Sequence, residues 1–146
     1  MASGTGTVTI DTNEWVYVDR MGIEHTVTDG ETFTFSSTDN STTSVVWKLD
    51  PGQSVATDDG YTLYMDNTDK NHFFLEFADT DNTNAATNVG EWVILDPQTG
   101  QRDVWVCTSA TVDDVDAPST IAAKFEAKDD PMRTFEWAAS VDISFA

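Results

Sequence analysis

Residues 61–77 read YTLYMDNTDKNHFFLEF. Tyr61, Leu63 and Met65 fall on one face of an extended chain, and Phe73, Leu75 and Phe77 do the same beyond a polar interval at 66–71. Strict alternation of this kind is the mark of a half-buried strand. Asn and Asp in the interval accept left-handed backbone angles and bond their own backbone, as turn residues do. The expectation is a hairpin at the centre of a β-sandwich, and with the runs on either side about 9–11 strands indicate an all-β, antiparallel two-sheet sandwich or barrel.

The same signal recurs on both sides of that stretch. Toward the amino end, Val8 and Ile10 open a strand, EWVYVDR follows with two apolar faces, and Met21-Gly22 marks a turn. Asp29-Gly30 is a hairpin signal, with IEHTVT before it and ETFTFSS after it, Phe33 and Phe35 inward. VVWKL carries Val45, Trp47 and Leu49 on one side and stops at Asp50-Pro51-Gly52. Toward the carboxyl end, EWVILDP and RDVWVCT flank a turn at 97–100, and IAAKFEA alternates through Ile121, Ala123, Phe125 and Ala127. The last run is the most regular: Phe135, Trp137, Ala139, Val141, Ile143 and Phe145 share one face. No long window carries a helical period. With no internal repeat and no linker, residues 1–146 read as one domain, with 1–6 as a flexible amino-terminal arm.

Composition bounds the setting. The chain has 146 residues, 39% hydrophobic, with five Trp and eight Phe, enough for one core. Its formal net charge is −19, from 26 acidic and seven basic residues. So large a charge repels itself in dilute salt, whereas at molar salt the Debye length falls to ~3 Å. High Asp and Thr with few Lys point to a protein adapted to brine. The acidity argues against direct contact with nucleic acid or an anionic membrane. No apolar run is long enough for a transmembrane helix, and MASGTGTVTI has no signal-peptide pattern. The expectation is a protein made in a cytoplasm and used there or inside a released particle. The lone Cys107, in a strand-like run, reads as a small buried hydrophobe.

Chemistry-bearing patterns are sparse. Asp79 and Asp81 with Asn82, and Asp113, Asp114 and Asp116, are oxygen clusters of the kind that hold Ca²⁺ or Mg²⁺. Thr83 stands where a calcium loop needs its third ligand, so these are secondary candidates and no metal is assigned. Glu76, Glu91 and Glu136 lie on strand-like runs with nothing to single out a catalytic pair, and no enzyme activity or cofactor is expected. Trp15, Trp47, Trp92, Trp105 and Trp137 could form a sugar platform, yet each sits in an alternating strand, where packing is the commoner use. Trp15, Val16, Tyr17, Val18, Trp92 and Trp105 lie on strands apolar on both faces and are the interface candidates.

Tyr61, Leu63, Tyr64, Asn67, Thr68, Asp69, Asn71 and Phe73, followed by Val93, Leu95, Pro97 and Gly100, form a pattern that resembles small structural proteins of tailed phages and related viruses. The resemblance spans 61–146. It implies a jelly-roll-like virion component, of the kind that serves as vertex (penton) or decoration protein in viruses of halophilic archaea. Its partners would be copies of itself, in a symmetric ring, and other virion proteins. A tail tube protein is the nearest alternative, and a carbohydrate- or receptor-binding module is the alternative from another class.

Overall fold

The computed structural model describes residues 6–37, 44–65, 74–78, 88–89, 91–114 and 119–145. Among them the fold is all-β, with thirteen strands and no helix. The chain opens with β1 (Gly6–Thr12), the short ribbon β2 (Trp15–Val18) and β3 (Glu24–Val27), then β4 (Thr32–Ser37) and β5 (Ser44–Leu49). A second ribbon, β6 (Ser54–Ala56) and β7 (Thr62–Tyr64), precedes β8 (Phe74–Ala78) and β9 (Asn88–Val89). The carboxyl half is β10 (Glu91–Leu95), β11 (Arg102–Val112), β12 (Thr120–Ala127) and the long β13 (Asp130–Phe145).

Nine strands form one antiparallel ladder in the order β10-β11-β12-β13-β1-β4-β5-β8-β9, rather than the two facing sheets expected. Its outermost strands, β9 and β10, are joined in the chain by residue 90 alone. Laid flat, nine strands would hold those edges about 38 Å apart at ~4.8 Å per gap. Two backbone steps reach only about 7 Å. The sheet must therefore curl until its edges approach. The ribbons β2–β3 and β6–β7 pack against the sheet, β2 on β13 and β6 on β4, and are tied to each other by a bridge between Val27 and Thr57 and to β10 by one between Met65 and Ile94.

The hairpin expected across 61–77 does not form. β7 pairs with β6, in register Val55↔Leu63, and β8 pairs with β5 and β9. The Asp58-Asp59-Gly60 turn, with Gly60 at φ 88°, gives β7 a partner only a few residues away. The Asp29-Gly30 turn likewise bends the chain without pairing its flanks: β3 goes to β2, and β4 to β1. The strand count exceeds the expectation because β6 and β9 are too short to show alternation. Gly6, expected in a flexible arm, is the first residue of β1, and residues 1–5 lie outside the described set, as does the 66–71 turn.

The alternation decides the core. Val8, Ile10, Phe33, Phe35, Trp47, Leu49, Ile121, Ala123, Phe125, Ala127, Phe135, Trp137 and Ala139 are all buried, and Val141 and Ile143 pack at its margin. Trp92 is the hub. Its ring lies within 5.0–5.6 Å of Phe33, Phe125, Phe135 and Trp15 by centroid, and its Nε1–H points at the Met65 sulfur. A ring of that size removes roughly 150–250 Å² from water, about 4–6 kcal/mol at 25 cal/mol per Å². That is comparable with the net stability of a whole domain. A core built on such rings holds together a body whose surface charge works against compaction.

Candidate functional site

Four tight turns meet at one end of the curled sheet: 19–23 between β2 and β3, 57–61 between β6 and β7, 96–101 between β10 and β11, and 127–130 between β12 and β13. Each is shaped by an acidic residue acting locally. Asp19 Oδ1 accepts the backbone N–H of Met21 and of Ile23, both at 2.9 Å. Asp96 Oδ1 accepts those of Gln98 at 2.8 Å and Thr99 at 3.0 Å, while its Oδ2 accepts the Arg20 N–H at 2.8 Å. Asp96 thus closes its own turn and pins the neighbouring one.

Beneath the turns lies a buried ion cluster around Asp103. Arg133 of β13 grips this carboxylate with both terminal nitrogens, at 3.2 and 2.6 Å, and also donates to the Val18 carbonyl at 2.7 Å. The guanidinium sits 4.9 Å over the Trp105 ring, a cation–π contact. The Tyr17 hydroxyl donates to Asp103, and Arg20 reaches it at 3.5 Å while pairing with Asp129 at 2.8 Å. Burial pushes the Tyr17 phenol far up, and the bond to Asp103 pushes it further, so it stays a donor. Burial alone would weaken the Arg133 charge, but the bond to Asp103 and the charges of Asp103, Tyr17 and Asp129 together outweigh it and hold the guanidinium charged.

A second cluster ties the two ribbons. His25, fully buried, sits between carboxylates: Nε2 lies 2.7 Å from Asp19 Oδ2 and Nδ1 lies 2.8 Å from Asp59 Oδ2. Burial works to lower the His25 pKa, and the hydrogen bonds and charges of Asp19 and Asp59 overcome it, so the net direction is upward. Burial also works to raise that of Asp19, and the bonds from His25, Ile23 and Met21 overcome it, so the net direction is downward. Asp59 is lowered chiefly by the Thr57 hydroxyl and then by His25.

Apolar side chains also stand exposed on these turns. Met132 is 89% exposed and Met21 69%, with Ile23 and Tyr61 also open to solvent. All four belong to the turns or to the strand residues next to them. Arg102 and Lys128 are exposed at the same end.

The interface candidates are mostly interior. Trp15, Tyr17, Trp92 and Trp105 are buried in the core, Val18 is half-buried, and Val16 alone of the set is exposed. β2 turns Trp15 and Tyr17 into the core and Val16 to solvent, whereas in β10 Trp92, Val93 and Ile94 are all buried. None of the five tryptophans is presented to solvent, which leaves no indole platform. Glu136 points outward, 3.9 Å from Lys124, and Glu91 pairs with Lys128 at 2.9 Å. The Glu76 side chain is outside the described set.

Among the metal candidates, Asp79, Asp81 and Asp116 lie outside the described residues. Asp113 braces its own loop: Oδ1 accepts the N–H of Ser119 at 2.9 Å and of Thr120 at 3.0 Å, and Oδ2 accepts the Ser119 hydroxyl. That hydroxyl first, then the two amides, draws its carboxyl well below the usual aspartate value. Asp114 is exposed beside it. No group of three or more His, Cys, Asp or Glu side chains suited to a metal occurs among the described residues. Cys107 is half-buried at a bulge in β11, its thiol bonded to the Ser109 carbonyl and its pKa raised by burial. No described helix is long and apolar enough to cross a membrane.

Sequence reasoning missed Asp19, His25, Asp96, Asp103 and Arg133. One signal was available: Asp103 stands two residues before Trp105, on the same face of the same strand. An acid in phase with a core tryptophan is a buried acid, and a buried acid requires a cation.

Comparisons with protein families, with curated proteins and with solved structures find no match for this chain.

Proposed function

We propose that the protein is a structural component of a virion, a capsid vertex or decoration protein of a virus of a halophilic archaeon, acting by self-assembly and by docking to other virion proteins. The observation that carries the reading is the apolar surface of Met21, Ile23, Tyr61 and Met132 on a tightly cross-linked turn end. Exposed apolar groups on a scaffold that does not yield are the makings of an interface. The two halves of the curled sheet, facing one another across the aromatic core, serve as the layers of a jelly-roll-like body. The net charge of −19 fits assembly in concentrated salt, where sister copies can approach.

A second reading, a tail tube subunit, draws on the long β12–β13 hairpin and the barrel-like curl. It also calls for a helix packed on the barrel, and the described residues contain none. The test is the protein's mass in solution at ~3 M and ~0.1 M salt, spanning strong and weak screening. A monodisperse oligomer at high salt that is lost in Met21→Ser/Met132→Ser supports the reading. A folded monomer at both salts overturns it.

A further inference from the structure

We infer that His25 is a protonated clip between the two ribbons: as an imidazolium it donates to Asp19 and Asp59 at once, and on losing its proton it lets the 57–61 turn open. The argument is one of donors and acceptors. Both ring nitrogens lie within 2.8 Å of a carboxylate oxygen, and an ionised carboxylate only accepts. Both nitrogens must therefore carry hydrogen. A neutral ring has one N–H and one lone pair, and the lone pair would face an anion.

The surroundings decide which contact fails. Asp19 is fully buried and fixed by the Met21 and Ile23 amides, so it cannot turn away. The Asp59 side chain is 43% exposed and is held otherwise by the Thr57 hydroxyl, so it can turn to water. The last proton thus stays on Nε2, and the Nδ1 contact breaks. The other groups facing the ring are Tyr61, edge-on at 4.9 Å, and Tyr17 at 6.3 Å, the latter bonded to Asp103 and through it to Arg133. Asp58, next in the turn, accepts from Thr28. No cation among them replaces the lost charge beside Asp19 and Asp59. The Asp58 N–H, within this turn, donates to the Thr26 carbonyl at 2.8 Å, and that bond, broken when the turn opens, is the reporter.

The sign follows from the upward direction for His25. The stabilisation is complete below the ordinary histidine value of 6.5 and is lost as pH rises through the raised value. The experiment is heteronuclear NMR of the imidazole with amide exchange across pH. Expected are two protonated ring nitrogens at neutral pH, and an Asp58 amide protection factor that falls about tenfold per pH unit above 6.5, then levels off. His25→Gln should give low protection without the pH step, and His72→Gln should keep the step. A singly protonated ring at pH 6, or protection in the unaltered protein that ignores pH, overturns the inference. Should His25→Gln fail to fold, those two measurements on the unaltered protein still decide it. A consequence for docking, through the nearby Tyr61, would rest on the proposed function, whereas the clip itself does not.

Discussion

The turn end and the 113–119 end of the molecule both use aspartate, and they use it in opposite ways. At the turn end, Asp103, Asp19 and Asp96 are buried, and each is met by an arginine, a histidine or backbone amides from another turn. At the other end, Asp113 is exposed and folds its hydrogen bonds back onto Ser119 and Thr120 of its own loop. One set of carboxylates joins elements distant in sequence, and the other shapes a local bend. A strongly acidic chain thus contains two populations of acid. One is structural, and removing it leaves a cation or backbone amides without their partner. The other faces water and salt, and its cost is set by screening.

Replacing Asp103 with Ala should test that division most severely. It leaves Arg133 buried without its carboxylate, and breaking a buried pair from one side costs about 3–5 kcal/mol, readable as a lowered urea midpoint. The equivalent change at Asp113 should shift the midpoint far less, and equal losses would erase the distinction. Measured at ~3 M and ~0.1 M salt, the Asp103→Ala penalty should stay within about 0.5 kcal/mol, because a buried pair is little screened.

Gly100→Ala probes how rigid the turn end is. Gly100 holds φ at 73°, and forcing a side chain into the left-handed region costs about 1–2 kcal/mol. Nothing lies within 4 Å of the added methyl, so the loss measured by thermal unfolding would report backbone strain alone. Acid reaches both ends. Asp19, Asp59 and Asp113 are all lowered from the ordinary value of 3.8, so their stabilisation is present above it and is lost as pH falls further. A circular dichroism titration should show stability falling below that value, and a flat acid limb would refute the network. The smallest effect on folding belongs to Met21→Ser/Met132→Ser, within about 0.5 kcal/mol because both side chains are exposed.

The strands were legible wherever alternation ran long enough. β12 and β13 place Ile121, Phe125, Phe135 and Trp137 inside as their spacing demands, and β10 and β11 pair across the 97–100 turn. Partners were less legible. The face of a strand is written in its own residues, but its neighbour is chosen by competition among distant segments, and β7 found β6 through a turn whose flanks are only three residues long. Trp15, Tyr17, Trp92 and Trp105 were misplaced for a related reason: two apolar faces suggest a contact between copies, while the face that carries these rings turns into the aromatic core of one copy.

The sequence alone determined that this is an all-β body with an aromatic core and an acidic surface, because side-chain period and composition are local properties. Tertiary structure decided that nine strands join in one curled ladder, since a single residue links its two edges. It also decided that Asp19, His25, Asp103 and Arg133, ordinary surface residues by type, meet inside. A charge can be buried only where the fold brings its counter-charge, and no property of the isolated residue records that.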